Sequence, residues 1–106
     1  MVNLRRRPDR RDRMAASLPA DLAVTFTSEW SRESADPFDG HQLDLDCLAA
    51  REVALFPWQI RSENPWWNRP LKYGEVGCTL AHLACWRQAA QNGDEPFVLI
   101  LEDDAI

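Results

Sequence analysis

Apolar residues nowhere run for the roughly 20 positions that a membrane-spanning helix needs, so no helix of this sequence is expected to cross a bilayer. The first residues lack the apolar core of a secretory signal. Cysteine is scarce: three residues, an odd number, which speaks against a disulfide scaffold and makes a reducing compartment the default. Cytoplasm is therefore the expected location. The chain has no internal repeat and no low-complexity tract. It also lacks a spread of basic charge. Residues 1–14 hold six arginines against Asp9 and Asp12, a local charge of +4, while the net charge of the whole chain is −5. A nucleic-acid binder would distribute its basic residues over a face, so no nucleic-acid partner is expected.

What is present is ordinary globular material: 45% hydrophobic and 27% charged residues in a chain of 106, enough for one domain and too little for two. Residues 1–4 read as a strand cut short. Pro8 and Asp9 suit the first turn of a helix over residues 8–18, which Pro19 ends. Residues 23–27 are β-branched and aromatic, a second strand. Pro37 and Asp39-Gly40 mark turns. A short helix is expected over residues 43–55. Pro57, Pro65 and Pro70 then forbid a regular element, and Trp58, Trp66 and Trp67 fall in that loop, as a ligand-stacking surface or as a roof on the core. The clearest helix lies between Gly74 and Gly93, with Val76, Leu80, Leu83 and Ala84 as its apolar stripe. Residues 97–101 form an unbroken apolar run, which reads as a strand buried on both faces. The order strand, helix, strand, helix, helix, strand predicts an α/β fold, a parallel sheet flanked by helices. Ligands of such sheets bind beyond the carboxyl ends of the strands.

The residues richest in chemistry fall at those ends. Glu102, Asp103 and Asp104 follow the last strand. Alternate residues of an extended chain share a side, so Glu102 and Asp104 can present hard oxygen ligands to Mn²⁺ or Mg²⁺. The competing reading is a solvated acidic turn. Asn3 and the arginines follow the first strand; Arg6, Arg10 and Arg13 stand at i, i+4, i+7, and arginine recognises phosphate through its planar fork. Cys78, His82 and Cys85 share a helical face as a possible zinc set, against the stronger reading of small buried thiols and a hydrogen-bonded histidine.

Together these motifs resemble one family. Val2-Asn3-Leu4-Arg5-Arg6-Arg7-Pro8-Asp9-Arg10-Arg11 is similar to the opening of family 25 glycosyltransferases, which include lipopolysaccharide galactosyltransferases and collagen β-galactosyltransferases. Gly74-Glu75-Val76-Gly77-Cys78, then Ala81-His82 and Trp86, resembles the signature G-E-x-G-C-x-x-S-H-x-x-x-W, with Ala81 in place of the serine. Leu99-Ile100-Leu101-Glu102-Asp103-Asp104-Ala105 resembles the strand end L-x-x-E-D-D-A, and Asp39-Gly40 an intervening D-G. Asn68-Arg69-Pro70-Leu71 is closer to the collagen-modifying branch.

The resemblance implies a Rossmann-like, GT-A-type nucleotide-sugar fold, of which residues 1–106 would be the N-terminal half, truncated at the C-terminus and slightly at the N-terminus. It implies transfer of a hexose, commonly galactose, from a UDP-sugar to a lipopolysaccharide oligosaccharide or a protein hydroxyl. Glu102, Asp103 and Asp104 would hold Mn²⁺ (or Mg²⁺), and Asn3, Arg6 and Arg10 would lie near the nucleotide. Glu75 and His82 belong to the signature without a role that follows from it. The alternative is a non-catalytic half-domain that binds nucleotide or docks with a partner supplying the other half.

Overall fold

A computed structural model describes residues 1–54, 71–93 and 96–105. The tryptophans at 58, 66 and 67 and the Asn68-Arg69-Pro70 phrase lie outside the described residues. Three helices are described: α1 (Pro8–Ser17), α2 (Leu45–Ala50) and α3 (Tyr73–Gln91), with a 3₁₀ turn at Thr27–Glu29. None of them is long and apolar enough to cross a membrane.

Helix α1 begins at Pro8, whose missing N–H costs nothing in a first turn. Leu18, the residue before Pro19, is already extended, as the proline ring requires. Helix α2 is much shorter than the expected 43–55. Its start is fixed by Asp44, whose carboxylate accepts the Cys47 N–H at 2.7 Å. It stops because Glu52 enters the left-handed region, at φ 57°. There Glu52 N–H bonds Ala49 O at 3.0 Å and Val53 N–H bonds Leu48 O at 2.9 Å. This double closure consumes two orphan carbonyls, and Val53 packs on the cluster that holds Leu48. Periodicity could not reveal that stop, since glycine rather than glutamate usually signals it.

Residues 1–3 occupy the centre of the molecule. The terminal amine of Met1 donates to Thr25 O at 2.8 Å, and Thr27 N–H donates to Met1 O at 2.9 Å, the slanted pattern of a parallel pair. On the other side Val2 N–H donates to Leu101 O at 2.7 Å, within a parallel bridge between Val2 and Glu102. The spatial order is thus 25–27, 1–3, 101–102, all running the same way. Thr27 ties the first pair again through its hydroxyl, which accepts from Asn3 N–H at 2.9 Å and donates to Asn3 O at 2.8 Å.

The burial expected of residues 97–101 is corrected. Phe97 is 89% exposed, Val98 52% and Leu99 74%, and only Ile100 packs against the core cluster. Val2 pairs near the far end of the run, and among the described residues nothing covers its beginning. The core comprises Val2, Phe38, Ala81 and Cys85, with a second cluster of Leu43, Leu48 and Val76; Leu80 touches both.

The inward face of α3 also differs from the expected stripe. Leu83 is exposed, while Gly77, Ala81 and Cys85 are buried one turn apart. The reason is a close backbone approach. A β-carbon on Gly77 would strike the Phe38 carbonyl, and one on Gly40 would lie 2.6 Å from the Tyr73 carbonyl carbon. The 38–40 loop therefore rests directly on the first two turns of α3. Gly74, by contrast, faces open space. Gly77→Ala should lower unfolding free energy by about 1–3 kcal/mol through overpacking. Gly74→Ala should leave it unchanged or raise it by up to about 1 kcal/mol through helix propensity. Parallel denaturant titrations test both; equal behaviour of the two variants contradicts the close-approach account.

Candidate functional site

The arginine block is distributed by what each guanidinium finds. Arg5 turns away from the helix and clamps the loop before Pro37. Its side chain donates to the carbonyls of Ser28 (3.1 Å), Ser31 and Glu33, while its own N–H donates to Asp36 Oδ2 at 2.8 Å. Arg7 closes on Asp9 through two bonds of 2.9 and 2.7 Å, and this fork holds the Asp9 carboxyl down at about 2. Arg11 pairs with Asp12 and Glu29, and Arg13 is exposed. Arg6 and Arg10 remain, and both face a cleft of about 410 Å³.

The floor of that cleft is a chain of polar contacts. Asn3, 2% exposed, spends its amide N–H₂ on Arg7 O at 3.1 Å and on Asp103 Oδ2 at 2.7 Å. Asp103, itself buried, uses its other oxygen to accept from Arg10 Nη1 at 3.1 Å. The same nitrogen reaches Asp104 Oδ2 at 3.0 Å. Both Asp103 oxygens are therefore occupied, and a buried carboxylate is satisfied from two directions.

Asp39 lies beside this chain and is 1% exposed. Its Oδ1 accepts the His41 N–H at 3.0 Å. Arg6 Nε sits 2.9 Å from Oδ2, but that oxygen accepts no well-directed hydrogen bond, so charge is the main attraction. Burial pushes the Asp39 carboxyl up; the His41 N–H and the Arg6 charge outweigh it and hold it below its ordinary value of 3.8. The Arg6 side chain is 46% exposed, which leaves the outer part of its fork toward the cleft.

Glu102 turns to the opposite wall. Its Oε1 lies 3.0 Å from His82 Nε2 and 3.6 Å from Cys78 Sγ. Burial and the Glu102 charge both raise the Cys78 thiol, so it stays protonated at neutral pH and is a poor nucleophile. Cys85 does not join Cys78 and His82; it is buried in the core with Val2 and Phe38.

The sequence-predicted residues thus divide. Asn3, Arg6, Arg10, Glu102, Asp103 and Asp104 all line one cleft. His82 reaches it through Glu102. Glu75 is a cap: its carboxylate accepts the Lys72 N–H at 2.9 Å at the start of α3. Asp39 was missed as a site residue. Asp39-Gly40 signals a turn, but nothing local distinguishes a buried aspartate from the chain's many exposed ones. Gly40 and Gly77, which also border the cleft, were legible only as motif letters.

A cleft lined by three part-exposed arginines, Arg6, Arg7 and Arg10, and a carboxylate cluster, beyond the ends of parallel-running segments, has the composition of a site for an anionic ligand with a cation. The comparisons give the family. The family model for glycosyltransferase family 25 (LPS biosynthesis protein) matches residues 1–106. Procollagen galactosyltransferase 2 of Homo sapiens is 34% identical over 104 residues, and an inactive glycosyltransferase 25 family member 3 of Homo sapiens is 36% identical over 104. A glycosyltransferase 25 family member of Aedes aegypti is 36% identical over 105 residues. The chain belongs to glycosyltransferase family 25. Each alignment takes in 98% of this chain but only 15–16% of the relative. No solved structure matches the chain.

The depressed Asp39 carboxyl has a signed consequence. Its stabilising charge is fully present above pH 3.8, the ordinary value, and is lost as pH falls through the lower folded value. Asp39→Asn should cost about 1–3 kcal/mol at neutral pH and should flatten the loss of stability below pH 3.8. Urea midpoints measured from pH 7 down to pH 2.5 test this; parallel curves for the two proteins would deny Asp39 the role.

Proposed function

We propose that this chain forms the donor-nucleotide side of a glycosyltransferase domain, with a Rossmann-like arrangement in which the parallel-paired segments are the first strands of the sheet. The donor is a UDP-sugar, and the hexose is galactose. The single observation that supports this best is the cleft itself: Arg6 and the Glu102–Asp104 carboxylates line it together in a chain of this family. The collagen-modifying branch is the closer guide to the acceptor, since procollagen galactosyltransferases are among the relatives. This favours a protein hydroxyl over a lipopolysaccharide oligosaccharide.

The roles divide by what each group has left to offer. Arg6 is anchored by buried Asp39 and half exposed, so it is the residue to grip the diphosphate and stabilise charge that develops there as UDP departs. Arg10 holds Asp103 and Asp104 in place. Asn3 fixes Asp103. Among the three carboxylates, Asp103 is spent on Asn3 and Arg10. Glu102 and Asp104 each engage one oxygen and are about half exposed, so Oε2 of Glu102 and Oδ1 of Asp104 are the atoms that fit a hard divalent ion. Bound there, Mn²⁺ or Mg²⁺ would neutralise the leaving diphosphate. The acceptor hydroxyl and its base would come from outside these 106 residues, from the rest of a longer chain or from a partner.

A second reading has an observation of its own: several relatives of similar identity are named inactive or probable inactive. In that case the chain binds nucleotide without turnover. Titration of UDP into the purified protein, with and without Mn²⁺ and followed by tryptophan fluorescence, tests the shared part of both readings. Saturable, metal-enhanced binding is expected. Arg6→Ala should weaken UDP binding by about tenfold or more, the worth of a charge-assisted bond, while sparing uridine. Asp104→Ala should erase the Mn²⁺ enhancement. Equal losses for UDP and uridine would remove Arg6 from the phosphate. Sugar release from a UDP-hexose then separates an active from a silent site.

A further inference from the structure

We infer that Cys78, His82 and Glu102 form a binding site for a borderline-soft divalent ion, zinc by the character of its donors, which shares only Glu102 with the proposed hard-ion position at Asp104. Cys78 and His82 are one turn apart on α3, so their side chains rise from the same face. Glu102 arrives from the segment bridged to Val2. One ligand atom from each lies within 4.8 Å of the others. Zinc bonds of about 2.0–2.3 Å in a tetrahedron set ligand atoms roughly 3.3–3.6 Å apart. Two edges of the triangle already come close to that, at 3.0 Å for Glu102 to His82 and 3.6 Å for Glu102 to Cys78.

The donor set of thiol, imidazole and carboxylate prefers zinc to manganese or magnesium, because thiolate and nitrogen ligands suit the softer ion. The imidazole is steadied by an edge-on contact with Trp86, at 6.5 Å between ring centres. Coordination would release the Cys78 thiol proton to solvent, so the site loads more fully as pH rises. Three protein ligands leave a fourth position. Cys78 and Glu102 both line the cleft, so that position opens toward it rather than into the core. The expected zinc set of Cys78, His82 and Cys85 is thereby recast, with Glu102 in place of the buried Cys85. This inference does not rest on the donor-nucleotide reading.

Cobalt(II) is the probe, because a tetrahedral thiolate site gives it intense visible bands and an ultraviolet sulfur-to-cobalt charge-transfer band. The purified chain should show both at one equivalent and lose both on addition of zinc. Cys78→Ser should abolish the charge-transfer band, while Cys85→Ser and Cys47→Ser should keep it. His82→Ala and Glu102→Gln should each weaken cobalt binding by at least about tenfold, the loss typical even of an outer-shell partner. Asp104→Ala, which the hard-ion site needs, should leave the cobalt spectrum unchanged. A weak octahedral spectrum, a charge-transfer band that survives Cys78→Ser, or equal effects of Cys78→Ser and Cys85→Ser would overturn the proposal.

Discussion

The bond on which the site depends is the one from the Asn3 amide to Asp103, 2.7 Å long and buried at both ends. It joins residues 100 positions apart. Asn3 can stand there only because Met1 and Val2 lie between two other segments, paired to residues 25–27 on one side and to 101–102 on the other. Asp103 is accommodated in the interior because Asn3 and Arg10 answer both of its oxygens. An unanswered buried carboxylate would cost several kcal/mol. The opening tripeptide thus acts as structure and as site at once, which is why Asn3 follows directly on Val2 without an intervening loop.

The second constraint is steric. Gly40 and Gly77 let the 38–40 loop lie against α3 at backbone distance. That contact brings Asp39 under Arg6 and sets the height of Cys78 and His82 above Glu102. Two short motifs, distant in sequence, are in physical terms one joint. The joint also explains the small-residue face of α3: where backbones touch, Ala81 and Cys85 fit and leucine does not, so Leu83 is left outward.

Helix α1 was fully legible, because Pro8, Asp9 and Pro19 act locally through φ, the macrodipole and the pre-proline restriction. The extent of α3 was legible too, because its length makes the pattern robust, but its buried face was not. Helix α2 was overextended, because its end depends on a left-handed glutamate, and no residue type advertises that. The strands were half legible. Of the strands expected at 1–4, 23–27 and 97–101, the described residues show only the bonds from Met1 to residues 25 and 27 and the isolated Val2–Glu102 bridge. Burial, a property of neighbours, is missing at exposed Phe97 and Leu99. In the cleft, the six lining residues that the sequence also singled out were marked by the ends of extended segments and by the family resemblance together. Asp39 escaped, because its importance comes from a three-dimensional neighbour and not from its surroundings in sequence.

Glu102 and Asp103 show how adjacent residues of like charge take unlike roles. A turn closed by the Ala105 N–H on Glu102 O at 3.1 Å, rather than the expected alternation of an extended chain, sends the two side chains to different partners. Asp103 meets cationic and amide donors and becomes a fixed part of the floor. Glu102 meets a thiol and an imidazole, both able to give up a proton. The turn thus divides two neighbouring carboxylates between the arginine side of the cleft and helix α3.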